Sequence, residues 1–142
     1  MLANEPRLYF ENVRYNIENI LYKSIKTSQS ANKLSVKITD AFTIEEINTK
    51  KIVVVVKRSI KFKPRSLFTL GIEIKMTLHL NQNDKKFRGT PEELNSYALE
   101  NMDSIINRSN LMETVSLLIG QISSAYGNVP IITPPSYIND ND

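Results

Sequence analysis

Few of the 142 residues carry side chains able to do chemistry. There is no cysteine, which removes a thiol nucleophile, a disulfide scaffold and any cysteine-ligated zinc. There is one histidine, His79, so no mechanism that needs two can run and no base is held in reserve for a metal-bound one. It falls on the polar phase of a strand, where a solvent-facing imidazole is expected. The adjacent acids Glu45-Glu46 and Glu92-Glu93 should point apart on a strand or a helix, and the second pair has a capping use. The chain has no G-x-x-x-x-G-K-[ST], no G-x-G-x-x-G and no G-x-S-x-G. The expectation is a protein that is not an enzyme and uses no cofactor and no metal.

Charge is the next resource, and it is unevenly spread. Residues 1–49 balance six basic groups against six acidic ones. Residues 50–88 hold eleven basic side chains against Glu73 and Asp84, about +9. Residues 89–142 hold Arg108 against seven acids, about −6. A basic middle suits a nucleic acid or an acidic partner. It equally suits solvated strand faces whose lysines guard sheet edges. The second reading is preferred, because arginine bias and interleaved aromatic rings for base stacking are missing. Nucleic-acid binding by residues 50–88 is kept as an alternative of another class, and a carrier of a small apolar ligand as a third.

The elements that must position these groups follow from hydrophobic period. Residues 8–23 read as a long first strand: Val13, Tyr15 and Ile17 alternate with polar residues, the phase slips, and it resumes at Ile20 and Tyr22, as at a β-bulge. KTSQSAN (26–32) is a polar loop. Leu34, Val36 and Ile38 open a second strand that runs on through Phe42 and Ile44, and Ile52 to Lys63 is a third. Phe68 to Leu80 alternates without a fault, and Pro64-Arg65-Ser66 suits a hairpin before it. The period then changes. Thr90-Pro91-Glu92-Glu93 is a helix start, and Leu94, Tyr97, Ala98, Met102, Ile105 and Ile106 make one stripe. After a break at 107–110, a second helix carries Leu111, Val115, Leu118, Ile119, Ile122 and Ala125 and should stop at Gly127. The proline-rich stretch 129–137 should be extended.

These elements predict an α+β fold: a four-stranded antiparallel meander followed by two helices packed on one face. The domain should span 8–138, with an N-terminal tail at 1–7 and a frayed C-terminal tail at 139–142. No apolar run approaches the roughly 20 residues a membrane helix needs. The start, MLANEPRLYF, lacks an apolar leader core, so a cytoplasmic protein without membrane insertion is expected. Ile52-Val53-Val54-Val55-Val56 is apolar on both faces of its strand, and two helices cover one face only. The second helix adds Met112, Leu117 and Tyr126 to its stripe. Leaving several such residues wet forfeits several kcal/mol at about 25 cal/mol per Å². A homo-oligomer, a bound apolar ligand, or both, is the inference.

The order of elements, with its bulged first strand, crossover loop, three further strands, short helix, longer helix and proline-rich tail, resembles the SecB family of export chaperones. The most specific stretch is Gly127-Asn128-Val129-Pro130-Ile131-Ile132-Thr133-Pro134-Pro135-Ser136-Tyr137, in which a glycine ends the helix and a proline, an aliphatic run, a Pro-Pro step and an aromatic follow. The resemblance spans about residues 8–138. It implies an ATP-independent holdase that forms tetramers as dimers of dimers and binds unfolded polypeptides in apolar grooves.

Transferred to this chain, the resemblance suggests a client groove of Leu21, Tyr22, Leu34, Phe42 and Ile44 from the strands with Met112, Val115, Ile119 and Ile122 from the second helix. The subunit interface would draw on Tyr15, Ile17, Val53, Val55, Tyr97, Met102 and Ile105. Family members can hand export substrates to the SecA motor, which docks on an acidic sheet face. The strand region here is basic, and this departure argues against docking. Some SecB-like proteins instead serve dedicated clients, among them antitoxins of toxin–antitoxin systems, and that is the nearer alternative.

Overall fold

Seven apolar side chains at every second position give the strand Phe68–Leu80 one face for a core and one for water. All seven are buried, and the six residues between them are half-buried. The structure, a computed structural model, describes residues 10–25, 35–80, 90–125 and 130–139. It contains β1 (Phe10–Ser24), β2 (Ser35–Ile47), β3 (Lys51–Lys63), β4 (Phe68–Leu80), α1 (Pro91–Arg108) and α2 (Leu111–Ala125). The loop 26–32, Leu34, the helix stop at Gly127 and the tail 1–7 lie outside the described residues.

The sheet is antiparallel throughout, in the order β1-β4-β3-β2. This corrects the expected meander. Strands β2, β3 and β4 follow one another, but β1 lies against β4, so its connection to β2 must cross the sheet in Greek-key fashion. The gain is burial: the strand with the longest apolar row becomes central instead of an edge. The helix-side residues of β1, Val13, Tyr15, Ile17, Ile20 and Tyr22, register with Leu78, Met76, Ile74, Ile72 and Leu70. The phase slip between Ile17 and Ile20 is a register shift between Ile17 and Asn19. A second shift, between Ile44 and Glu46, sits in the other edge strand, β2.

Both helices cover one face. Leu94, Ala98, Met102, Ile105 and Ile106 of α1 and Leu111, Met112, Val115 and Ile119 of α2 share a core with Ile52, Val54, Val56, Ile60 and the apolar row of β4. Thr90 caps α1 by accepting the Glu93 N–H at 3.1 Å, and its hydroxyl donates to the Glu93 carboxylate at 3.2 Å. Pro91 fills the first helical turn, where its missing N–H leaves no bond broken. The junction to α2 turns on Asn110, whose φ of 62° is left-handed, a conformation asparagine tolerates better than most residues.

The valine run needs no outside cover. Val53 is 8% exposed and Val55 half-buried on the face away from the helices, shielded by cross-strand neighbours Glu46, Thr77, Thr43 and Lys75. The exposed apolar surface lies elsewhere: along β1, and on the outer side of α2.

Candidate functional site

A charged residue stands at a core-facing position of β3. Arg58 shares the phase of Val54, Val56 and Ile60, and its register partner on β2 is Asp40, in phase with Ile38 and Phe42. Both side chains are shut off from solvent. The guanidinium donates from Nε to Asp40 Oδ1 and from Nη2 to Asp40 Oδ2, both at 2.7 Å, a bidentate pair. Its remaining N–H groups point at the C-terminal segment: to Thr133 Oγ1 at 2.9 Å, the Pro134 carbonyl at 2.6 Å and the Ser136 carbonyl at 2.9 Å. A buried charge is tolerable only when its donors are satisfied, and here one arginine gathers β2, β3 and the tail.

Further bonds fix the tail, residues 130–139. Ile131 N–H donates to the buried Ser123 Oγ at 2.9 Å, while that hydroxyl donates to the Ile119 carbonyl. Tyr137 N–H donates to Asn107 Oδ1 and Ile138 N–H to Asp40 Oδ2, both at 2.8 Å. Ser116 Oγ reaches the Thr133 and Pro134 carbonyls at 3.1 and 2.9 Å. The proline-rich stretch is extended, as expected from its composition, and it is anchored by polar groups rather than by its prolines.

Anchoring the tail beside α2 opens a groove of about 880 Å³ between them. One wall is the outer side of α2, with Leu117 and Gly120, and the other is Pro130, Ile131, Ile132 and Pro135. Leu117 is 71% exposed and Ile132 90% exposed. Large apolar side chains held this open to water on an ordered frame mark an interaction site. Gly120 leaves space at the base of the α2 wall: a methyl there would sit 3.8 Å from the Ile131 carbonyl oxygen, in ordinary contact.

The residues named from sequence are distributed as follows. Met112, Val115 and Ile119 lie in the core of this single chain, and Ile122, Phe42, Ile44 and Tyr22 pack half-buried against it. Tyr22 stacks on Phe68 and Phe42 meets Tyr137 edge-on. Leu21 is exposed on the opposite side of the sheet, paired with Gly71, so it does not join them. Of the other set, Tyr15 and Ile17 are exposed on β1, where the Tyr15 hydroxyl donates to the Ser109 carbonyl. Tyr97 is half-buried, Met102 and Ile105 are in the core, and Val53 and Val55 lie on the open sheet face. The α2–tail groove was not foreseen. Its signal was Leu117, already out of phase with the α2 stripe, together with the aliphatic pair Ile131-Ile132, of which Ile131 packs against the core and Ile132 faces water.

The open face, away from the helices, is where the basic segment meets its acids. Lys75 lies in central β4 between Glu18 and Glu45, at 2.9 and 3.1 Å. Each glutamate sits at the register shift of an edge strand, so each bulge turns a carboxylate toward the same ammonium. Lys75 donates hydrogen bonds to both carboxylates, Glu18 first in effect, and these hold its pKa above the ordinary lysine value. Glu46 pairs with Lys51 at 3.5 Å and Glu73 with Lys57 at 3.8 Å. The expectation that Glu45 and Glu46 point apart is therefore corrected: the bulge places both on one face. The expectation that the basic residues are all solvated also fails at Arg58. His79 lies on this face, half-buried and registered with Lys51 and Asn12. Among the described residues no cluster of three potential ligands could hold a metal ion, and no helix is long and apolar enough to cross a membrane.

A four-stranded antiparallel sheet in this order, with both following helices on one face, is the SecB-like fold. One solved structure that shows it is that of a SecB-like chaperone from Mycobacterium tuberculosis, Rv1957, in complex with a ChAD peptide from the antitoxin HigA1 (Rv1956). The two superpose with a TM-score of 0.63 over 90% of this chain and 89% of that one, at 13% sequence identity. A protein of unknown function from Streptococcus agalactiae, 15% identical over 87% of this chain and 97% of its own, reaches a TM-score of 0.44, below the level at which a shared fold follows. No family model matches the chain, and no curated protein matches it in sequence.

Proposed function

We propose that this chain is an ATP-independent chaperone that holds apolar segments of non-native polypeptides. The observation that carries the reading is the α2–tail groove, with Leu117 and Ile132 exposed on its two walls. A non-native client offers its apolar side chains to such a groove. In this reading Leu117, Ile131 and Ile132 touch the client, while Met112, Val115 and Ile119 hold α2 on the sheet behind them. The SecB-like fold supports it, since the solved relative in fold carries a bound peptide.

The proposal places the protein in the cytoplasm as a homo-oligomer, a tetramer by the family resemblance, with Tyr15 and Ile17 on the exposed flank of β1 as contacts between copies. Repeated weak grooves on one assembly then add by avidity. A dedicated client, an antitoxin of a toxin–antitoxin pair, is the second reading. It is favoured because the peptide in the fold relative comes from an antitoxin. An export role through SecA has less support, because the open sheet face offers paired glutamates and lysines rather than an acidic field.

The test is aggregation of a chemically unfolded model protein, followed by light scattering without ATP. Suppression at stoichiometric amounts is expected. No suppression at a fivefold excess would reject the holdase reading.

A further inference from the structure

On the open sheet face the charges are sorted along the strands. On that face Glu46 and Glu73 lie in the rows through Val53 and Lys57, and Glu18 and Glu45 at the bulges beside them, each within reach of a lysine. The next row, Thr39, Ser59, Gly71 and Leu21, has no charge. Beyond it Lys37 stands directly opposite Lys61, Lys63 opposite Ser35, and Lys23 opposite Thr69. Arg65 follows in the β3–β4 turn. Lys23, Lys37, Lys61, Lys63 and Arg65 are all exposed. With the uncharged row between them, the lysine row stands four residues along the strand, about 14 Å, from the last glutamate row.

Like charges directly opposite one another destabilise a sheet. Edge protection accounts for Lys23 on β1 and Lys37 on β2, because lysines on edge strands prevent pairing with other chains. It does not account for Lys61 and Lys63, which stand on central β3. We infer that this end of the open face is a docking platform for an acidic stretch of polypeptide, the flank of a client's apolar segment. The inference rests on the holdase reading and adds a client class to it. Polypeptide is favoured over nucleic acid by what surrounds the cations. The neighbouring row offers hydroxyls and the exposed aliphatic Leu21 but no aromatic ring for a base, and four of the five cations are lysines. An acidic segment with interspersed apolar residues meets both the lysines and Leu21.

The experiment uses the full chain and three fluorescent peptides with one shared apolar core: bare, flanked by glutamates, or flanked by lysines. Fluorescence anisotropy at low salt should rank the glutamate-flanked peptide about tenfold tighter than the bare one, the scale of a few exposed ion pairs together. The preference should vanish at 0.5 M salt, and in Lys37→Ser/Lys61→Ser with the bare peptide's affinity unchanged. Both positions are exposed, and circular dichroism checks that the variant folds. Equal affinity for all three peptides overturns the platform while leaving the holdase reading standing. No binding of any peptide overturns both. A single-stranded oligonucleotide that displaces the glutamate-flanked peptide better than poly-glutamate of equal charge also overturns the inference, in favour of nucleic acid.

Discussion

Arg58 and Asp40 face each other across β2 and β3 through two hydrogen bonds of 2.7 Å, both side chains fully buried, on the side of the sheet that holds the core. The pair sits behind residues 130–139, and the remaining donors of Arg58 hold that segment's carbonyls. Removing one partner strands the other. Asp40→Ala or Arg58→Met is expected to cost about 3–5 kcal/mol in urea unfolding, because an uncompensated buried charge or a set of orphaned carbonyls remains. Arg58→Met/Asp40→Leu together should recover most of that loss. Limited proteolysis separates the two effects: the double variant, though refolded, should still be cut faster after α2, since Ser136 loses the Arg58 donor, Ile138 N–H loses Asp40, and Pro134 keeps Ser116.

Ser123 is the second anchor. Its buried hydroxyl accepts the Ile131 N–H and donates to the Ile119 carbonyl, an ordinary partner for a helical serine. Ser123→Ala leaves the Ile131 N–H without its acceptor. The expected cost is about 1–3 kcal/mol. Hydrogen exchange should show the loss at Ile131 and its neighbours, while amides of β3 and β4 keep their protection.

Much of this architecture was readable from period alone, and particular residues show why the rest was not. The faultless alternation from Phe68 to Leu80 and the Thr90-Pro91-Glu92-Glu93 start are local signals, and both elements stand where the pattern put them. The slip after Ile17 marked a bulge, since one extra residue inverts the face of all that follow. The pairing of β1 with β4 carries no local signal, because it depends on burying a strand some fifty residues away. Arg58 was counted among solvated cations on composition. Its phase with Val54, Val56 and Ile60 was the available clue, as was Asp40 between Ile38 and Phe42. Neither becomes a pair until register sets them opposite each other.

Lys75 ties stability to pH. Its folded-state pKa lies above the ordinary 10.5, through Glu18 and Glu45. A raised folded pKa means that the stabilisation is complete below the unfolded value and is lost as pH climbs through the folded one. The stability difference between the protein and Lys75→Gln should therefore be constant from neutral pH to about pH 10 and shrink above 10.5. A difference that disappears near pH 8 would show that the two bulge glutamates do not hold this lysine in solution. Added salt should reduce the difference, since all three side chains remain partly exposed.

The groove can be separated from the fold that carries it. Leu117 and Ile132 are the most exposed large apolar residues among those described, so Leu117→Ser/Ile132→Ser removes little core and should change stability by less than about 0.5 kcal/mol. Aggregation suppression should fall severalfold. Gly120→Ala is the complementary change. It keeps the apolar character, adds a methyl that meets the Ile131 carbonyl at an ordinary distance, and replaces a poor helix former, for a gain of up to about 1 kcal/mol. A stabilised Gly120→Ala protein with normal client binding, beside a stable but inactive serine pair, would locate client contact on the walls. If both serine substitutions leave suppression intact, the client lies elsewhere, and the exposed row of β1 becomes the next surface to test.

That row also decides assembly. Tyr15, Ile17 and Ile20 project to the helix side from an edge strand that the helices do not fully cover, at 39%, 55% and 41% exposure. The outer edge of β1 has no strand beside it among the described residues, so backbone groups and apolar side chains are offered together. A copy of the same strand satisfies both at once, and two-fold symmetry doubles every contact. Ile17→Lys should therefore lower the molar mass seen by light scattering while leaving the monomer folded, because Ile17 adds little to the core of its own chain. Tyr15→Phe keeps the ring and removes only the hydroxyl bond to Ser109, so it should leave the mass unchanged. A mass unaffected by Ile17→Lys would move the subunit contact off β1 and onto the outer side of α1, where Leu99 is 52% exposed.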